Sequence, residues 1–358
     1  AVIRFRVDKT LLLLPNTNLF LKPGSKLTSY CDELWTGVYA YSPSLDYKIE
    51  IVARGTTIRN AYRGIFAKGY SRVYASNSYF YNNWVDIELN NTYTTNIWKH
   101  YIKLNTFQTD IPQLFPSITF PTAQYPSIHV KLITANEISG LDDNEFKNVN
   151  LYTGDNALNE NRGWGIYTNT KAIVYNSKFI GLAYGVNSIA PITVQYSNFN
   201  YNNRGILISG TVASGSEIKY NTIFVTNYGY ITDNLSTINY GVMFNNTPNF
   251  TIFENTIKDG LLGVVTNTTS SQGNVVYNNI FENLYVSCVN QGNSEVLYNC
   301  NQHQNSGTLT YGQYGTFNGG DMVVFNGHVT TDQMHWHLPY TSTYNKVINL
   351  NCSPQNKS

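Results

Sequence analysis

Val85-Asp86-Ile87-Glu88-Leu89 alternates apolar and acidic residues. Positions two apart on a strand share a face, so both carboxylates would point to one side. Arg63 sits upstream in a segment of similar pattern and would lie one coil below them. Grouped carboxylates can hold a Ca²⁺ and a guanidinium can serve as base, the parts of a metal-assisted proton abstraction. The plainer reading is a pair of solvated charges, and it is the one we expect.

Two other groups invite the same weighing. His335-x-His337, with His328 and Asp332 close by, places two imidazoles on one strand face, where they would hold a Zn²⁺ given a third ligand. Surface histidines flanking Trp336 are the expected alternative, so no metal is assigned. A longer series is Arg63, Trp164, Tyr184, Arg204, Tyr228, Tyr240 and Tyr285, interrupted by Val85 and Leu262; most members immediately precede a glycine. Flat aromatic and guanidinium groups at regular spacing form a stacking track for a polysaccharide. A structural stack with no ligand is the alternative. Either way Arg resists burial, so a turn should set this column on the outside.

The elements that would carry these residues repeat. Ile173 to Val186 is echoed by Thr193 to Ile206: aliphatic, Ser or Asn three residues on, Phe or Ile five on, Gly and an aliphatic after five more. Glycines 165, 185 and 205 are 20 residues apart, and 241 and 263 are 22 apart. A fixed period of about 20–25 residues indicates a solenoid. The aliphatics are Ile and Val in short alternating runs, which make strands, and the several Leu of a leucine-rich repeat are missing. The expected fold is all-β: a right-handed parallel β-helix of about ten coils, stacked at roughly 4.8 Å. Ser177, Ser197, Asn221, Asn255, Asn278 and Asn299, with Asn105 and Asn144, would fall at one turn, where side chains bond to their copies in the next coil. The Gly column would mark a place where a Cβ crowds the neighbouring coil.

The period divides the chain into a β-helix over 1–303 and a C-terminal capping segment over 304–358. Loop excursions interrupt it near 108–128, 150–162 and 229–240. The first strands show no cap, from which a longer chain or a larger assembly is expected. Lys+Arg number 23 against 22 Asp+Glu, a net charge of +1. No basic cluster stands out, so no nucleic-acid partner is expected. No apolar run approaches the roughly 20 residues of a membrane helix, so no membrane insertion is expected either. Charged residues make up 13% and there are 29 Tyr, a polar but weakly charged dress that suits an extracellular or cell-surface β protein. Of four cysteines, Cys288 and Cys300 are near enough to pair across a turn; two separate thiols are the other reading.

LKPGSKLT (21–28), CDELWTGV (31–38), the repeated Gly-aliphatic coils and the NLNCSPQNK tail together resemble the right-handed parallel β-helix proteins of the pectin-lyase-like superfamily. More narrowly, they are similar to large secreted β-helix surface proteins of Bacteroidota, commonly exported by the type IX system. The resemblance covers nearly the whole chain and implies architecture and an exterior location. It also implies a non-catalytic adhesin-like, glycan-binding or structural module, with a polysaccharide or cell-surface partner and no cofactor. Enzymes of the superfamily cleave acidic polysaccharides, so a lyase or hydrolase is the alternative. Ca²⁺ would be needed only there, with Asp86, Glu88 and Arg63 as its residues. A building block of a surface filament is the third reading.

Overall fold

The structure is a computed structural model that describes residues 1–30, 33–93, 99–110, 127–135, 138–149, 162–225, 239–267, 273–291, 295–304, 320–325, 328–331 and 346–348. The chain divides into two compact units; described residues up to Ser188 belong to the first and those from Ile189 onward to the second. In both, the expected parallel β-helix is present.

Each coil of the first unit contributes strands to three ladders. The second ladder carries the site: Thr10–Leu13, Trp35–Ser42, Ala61–Gly69, Val85–Thr92, Ile128–Ile133, Trp164–Thr168 and Tyr184–Ser188. These pair in parallel, coil upon coil. The register stacks Val38, Ile65, Ile87, Val130, Ile166 and Val186 as one inward column, each at most 1% exposed. In the first ladder Phe80, Phe107, Phe146 and Phe179 stack face to face, with ring centroids 4.9–5.0 Å apart. β-branched and aromatic residues alternate with polar ones because only one face of each strand is buried.

Unit 2 repeats the plan. Arg204–Ser209 and Tyr240–Asn245 lead into two 12-residue strands, Thr256–Asn267 and Ile280–Gln291, each of which runs without a break through two ladders. Parallel pairing continues past residue 303, where the sequence template fades, through Gly320–Phe325 and His328–Thr331. Lys346–Ile348 then pairs antiparallel with Gly320–Phe325. Among the described residues the third ladder has six strands in each unit, somewhat more coils than the expected ten. The excursions within 108–128, 150–162 and 229–240 lie almost wholly outside the described residues.

The turn between the third and first ladders explains the Ser/Asn column. Its corner residue has positive φ: Asn77, Leu104, Asp143 and Asn176 in unit 1, and Tyr196, Tyr220, Glu254, Asn278 and Cys300 in unit 2. The next residue joins a ladder of buried side chains. In unit 1 the Asn105 N–H donates to Asn144 Oδ1 at 3.0 Å, and the Asn144 N–H to Ser177 Oγ at 3.2 Å. In unit 2 the backbone of Asn221 bonds to Asn255, Asn255 to Asn279 and Asn279 to Asn301, at 2.9–3.0 Å. The expected Asn278 and Asn299 are therefore each displaced from the ladder, by one and two residues; Asn278 is the corner itself. The glycine column also has its reason. A Cβ on Gly165 would sit 2.5 Å from Gly185 O and 2.7 Å from a Phe179 ring carbon, so it would push into the core.

Cys288 is a buried thiol, and Cys300 is an exposed one that donates to Asn299 Oδ1 at 2.9 Å; they do not form a disulfide.

Candidate functional site

The register places Asp86 opposite Gly64 on one side and His129 on the other, in the inward glycine column. Both are buried, at 1% and 5% exposure. His129 Nδ1 lies 2.6 Å from Asp86 Oδ2, and Asn83 Nδ2 donates to Asp86 Oδ1 at 2.7 Å. The imidazole sits against the interior rings, 6.2 Å from Phe107 and 6.1 Å from Phe146. Burial raises the Asp86 carboxyl above its ordinary range, while His129 and Asn83 pull it back down.

Glu88 has other surroundings. It stands opposite Phe66 and Lys131, its carboxylate 2.8 Å from Arg63 Nε and 3.7 Å from Lys131 Nζ. Asn90 Nδ2 donates to its other side at 3.4 Å. The Arg63 guanidinium also covers the rings of Phe66 at 4.8 Å and Tyr62 at 5.1 Å. The lyase-like expectation is corrected in its geometry: Arg63 is indeed one coil below, but the two carboxylates have separate partners. Asp86 turns inward because it occupies the glycine column, where a Cβ points at core atoms just before the inward Ile87, so the simple alternation that would have put it beside Glu88 does not hold. Arg63 is an ion-pair partner already engaged at Glu88.

The aromatic track divides between the units. In unit 1, Arg63, Val85, Ile128, Trp164 and Tyr184 follow one another in register. Trp164 and Tyr184 are half-buried, with ring centroids 5.1 Å apart at an interplanar angle of 64°. Tyr167, three residues on from Trp164, meets it at 5.9 Å and 42°. By contrast Tyr62 and Trp84 lie flat on each other at 4.4 Å and 9°. Beyond Trp84 its column continues with the small residues Ser127 and Gly163.

In unit 2 the expected exposure is overturned. Arg204 and Tyr240 are in register but only 4% and 2% exposed, and Leu262 and Val286 follow them. Tyr240, Leu262 and Val286 join Met243, Val265 and Val289 in an apolar cluster. Val242, Val264 and Cys288 hold the inward positions, so this cluster stands on the outer side of the sheet and is nevertheless buried. Tyr285 belongs to the cluster but not to the column, whose register position falls on Val286. Tyr228, His335 and His337 lie outside the described residues.

Three participants escaped sequence reasoning: His129, Lys131 and Tyr167. His129 had a readable signal, since Ile128-His129-Val130 aligns with Trp164-Gly165-Ile166 and so marks a second non-glycine residue in the glycine column. The other two occupy outward positions for which the template specifies no residue type.

No family model matches the sequence, and no curated protein matches it. A solved structure described as "Crystal structure of Agl-KA catalytic domain" is similar to this chain, with a TM-score of 0.38 and 9% identity. The match covers 91% of this chain, which spans 62% of the length of that one.

Proposed function

We propose that the chain is a non-catalytic, extracellular β-helix module that binds a glycan on the outer face of the second ladder of unit 1, centred on Trp164. The observation that carries this reading is the splay of the three rings there. Tyr184 and Tyr167 meet Trp164 at 64° and 42°, so these rings are not piled face on face as Tyr62 and Trp84 are. Half-buried, splayed aromatics suit stacking against the apolar faces of sugar rings. Lys131 and Arg63, on neighbouring coils and partly exposed, supply donors for hydroxyls beside them. The resemblance to secreted pectin-lyase-like and Bacteroidota surface proteins supports an exterior location.

The test is a glycan array probed with the whole chain and with Trp164→Ala, in parallel with an assay for unsaturated product on acidic polysaccharides. The expected result is retention of particular glycans by the wild type, weakened about tenfold in the variant by loss of the stacking ring, with no product. Product formation, or binding indifferent to Trp164, would overturn the reading.

A further inference from the structure

The turn between the third and first ladders of unit 2 carries a patch of aromatic side chains on its outside. Tyr196 and Tyr220 are corner residues with φ of 55° and 58°, and they are 46% and 36% exposed. Register sets Gln195, Lys219, Phe253 and Tyr277 in one column at the ends of the third-ladder strands. Val194, Ile218, Ile252 and Val276 beside them are fully buried, so by alternation this column points outward. Each corner N–H donates to the column residue of the next coil: Tyr196 to Lys219 O and Tyr220 to Phe253 O, both at 3.3 Å, and Glu254 to Tyr277 O at 3.4 Å. Corner and column therefore run side by side from coil to coil.

The rings form two stacked pairs. Tyr196 lies over Tyr220 at 4.9 Å and 12°, and Phe253 over Tyr277 at 5.1 Å and 6°. Between the pairs Tyr220 meets Phe253 at 5.1 Å and 76°. An edge-to-face junction does not continue a face-to-face pile, so the stack is broken there and ring surface opens to the outside. The break is sharper than the 64° between Trp164 and Tyr184. Charge along these corners and columns is close to balanced: Lys219 pairs with Glu217 at 2.6 Å, and Glu254 takes the corner after Tyr220. Such a surface has no excess of cations with which to draw an acidic polymer.

The backbone is the independent observation. A left-handed corner suits asparagine, which stands there at Asn278 in this unit and at Asn77 and Asn176 in the other. Two successive corners of unit 2 carry tyrosine instead, although the conformation disfavours it and the exposed rings bury little. Strained backbone that holds aromatic rings out in solvent points to a binding surface. Coils repeat at roughly 4.8 Å, close to the advance of one sugar in an extended β-linked chain, so successive rings can meet successive sugars.

We propose that this patch is a second glycan-binding site, which takes a neutral, extended, β-linked polysaccharide running from coil to coil, with Tyr196, Tyr220 and Phe253 stacking on its sugars. It shares the glycan-binding reading of the chain but does not depend on Trp164 or on the second ladder of unit 1.

The experiment is calorimetric titration of the whole chain with cellohexaose, mannohexaose and, as the acidic arm, hexagalacturonate. Trp164→Ala serves as the background, so that only the second site is read. Binding of at least one of the two neutral hexasaccharides is expected. Adding Tyr196→Asn/Tyr220→Asn should weaken it about tenfold or more through loss of the stacking rings. Because asparagine is the residue the corners favour, the thermal transition should not fall with it. Tyr196→Phe/Tyr220→Phe keeps the rings and should keep most of the binding. Silence of the Trp164→Ala chain toward both neutral probes, tighter binding of hexagalacturonate, or equal binding after Tyr196→Asn/Tyr220→Asn would each overturn the proposal. So would a loss in the phenylalanine variant as large as that in the asparagine variant. Equal affinity of wild type and Trp164→Ala, abolished by Tyr196→Asn/Tyr220→Asn, would support this site while overturning the one at Trp164.

Discussion

His129 Nδ1 and Asp86 Oδ2 meet at 2.6 Å inside the solenoid, on two adjacent coils and at the register position where Gly64 and Gly165 stand on the flanking coils. Their side chains occupy space that elsewhere in the column belongs to the neighbouring core residue, such as the Phe179 ring beneath Gly165. The pair is thus a polar insertion in an apolar interior, tolerated because each member satisfies the other and Asn83 completes the carboxylate.

Removing one member alone should be more damaging than removing both. Asp86→Ala strands the imidazole and takes one of two acceptors from the Asn83 amide, which keeps Ile58 O at 3.0 Å, and breaking a buried pair this way costs about 3 kcal/mol or more. Asp86→Gly/His129→Gly restores the glycine pattern of the column and should cost less than the sum of its single changes. Denaturant unfolding of the two singles and the double measures the coupling. Additive losses would mean that the pair does not act as a unit.

The turn ladder supplies a second test, in unit 2. Asn255 Oδ1 accepts from the backbone and the side chain of Asn221, both at 2.9 Å, and Asn255 Nδ2 reaches Ile218 O, Phe253 O and Asn279 Oδ1. Asn255→Ala leaves several buried groups without partners, at about 1–3 kcal/mol for the first of them. Asn255→Ser should be milder, because Ser197 already fills that place in the same unit, its Oγ donating to Gln195 O and its N–H to Asn221. Thermal melts of the two variants should rank Ala below Ser below wild type.

How much of this was legible in the sequence differs with the kind of interaction. Inward residues repeat because every coil asks the same of them, so Ile166, Val186 and Phe179 announced the fold. The ladder was legible in type but slipped at its end, since Asn278 and Asn279 are adjacent asparagines and only the corner φ of Asn278 tells them apart. Outward columns carry no such demand. Tyr285 missed its column by the same one-residue slip: the inward residue that pairs with Ile257 is Phe281 and not Ile280, and five residues on from it stands Val286. Tyr196, Tyr220 and Phe253 come from separate coils, at positions for which the template specifies no residue type, so only the register brings them to one patch.

Stability should fall on acidification through two histidines. His100 is fully buried, its Nδ1 accepting from the Val73 N–H at 3.2 Å and its Nε2 facing Thr92 Oγ1 at 2.9 Å. Burial pulls its pKa down to about 3, with the nearby Arg72 charge adding to the effect. His303, 5.2 Å from the Phe281 ring, is pulled down by burial to about 4. Both remain neutral in the folded chain while the unfolded chain takes up protons below about pH 6.5, so each histidine removes about 1.4 kcal/mol per pH unit as pH falls from there toward its folded value. Asp86, whose carboxyl is raised, works in the opposite direction: the folded chain binds that proton first, so stability is regained as pH falls through its folded value. Urea midpoints from pH 7 to 4 should drop for wild type and drop less steeply for His100→Gln. An unchanged slope in that variant would count against a neutral buried His100.

The last prediction concerns backbone strain. Leu104 takes φ 60° at the corner where Asn77 and Asn176 stand on other coils of unit 1, and it is 47% exposed, so its side chain contributes little packing. A left-handed conformation costs an ordinary L-residue about 1–2 kcal/mol and an asparagine less. The corner persists because the following Asn105 is anchored by Asn144 and by Ala75 O at 3.0 Å, which fixes the chain on that side of the strained residue. Leu104→Asn should therefore stabilise unit 1 by about 0.5–1 kcal/mol without touching a core contact. Leu104→Val should do the reverse, since a β-branched residue tolerates positive φ least. Thermal unfolding of the three chains would order them Asn above Leu above Val; a Val variant as stable as wild type would show that the corner relaxes out of the left-handed region and that the ladder does not hold it there.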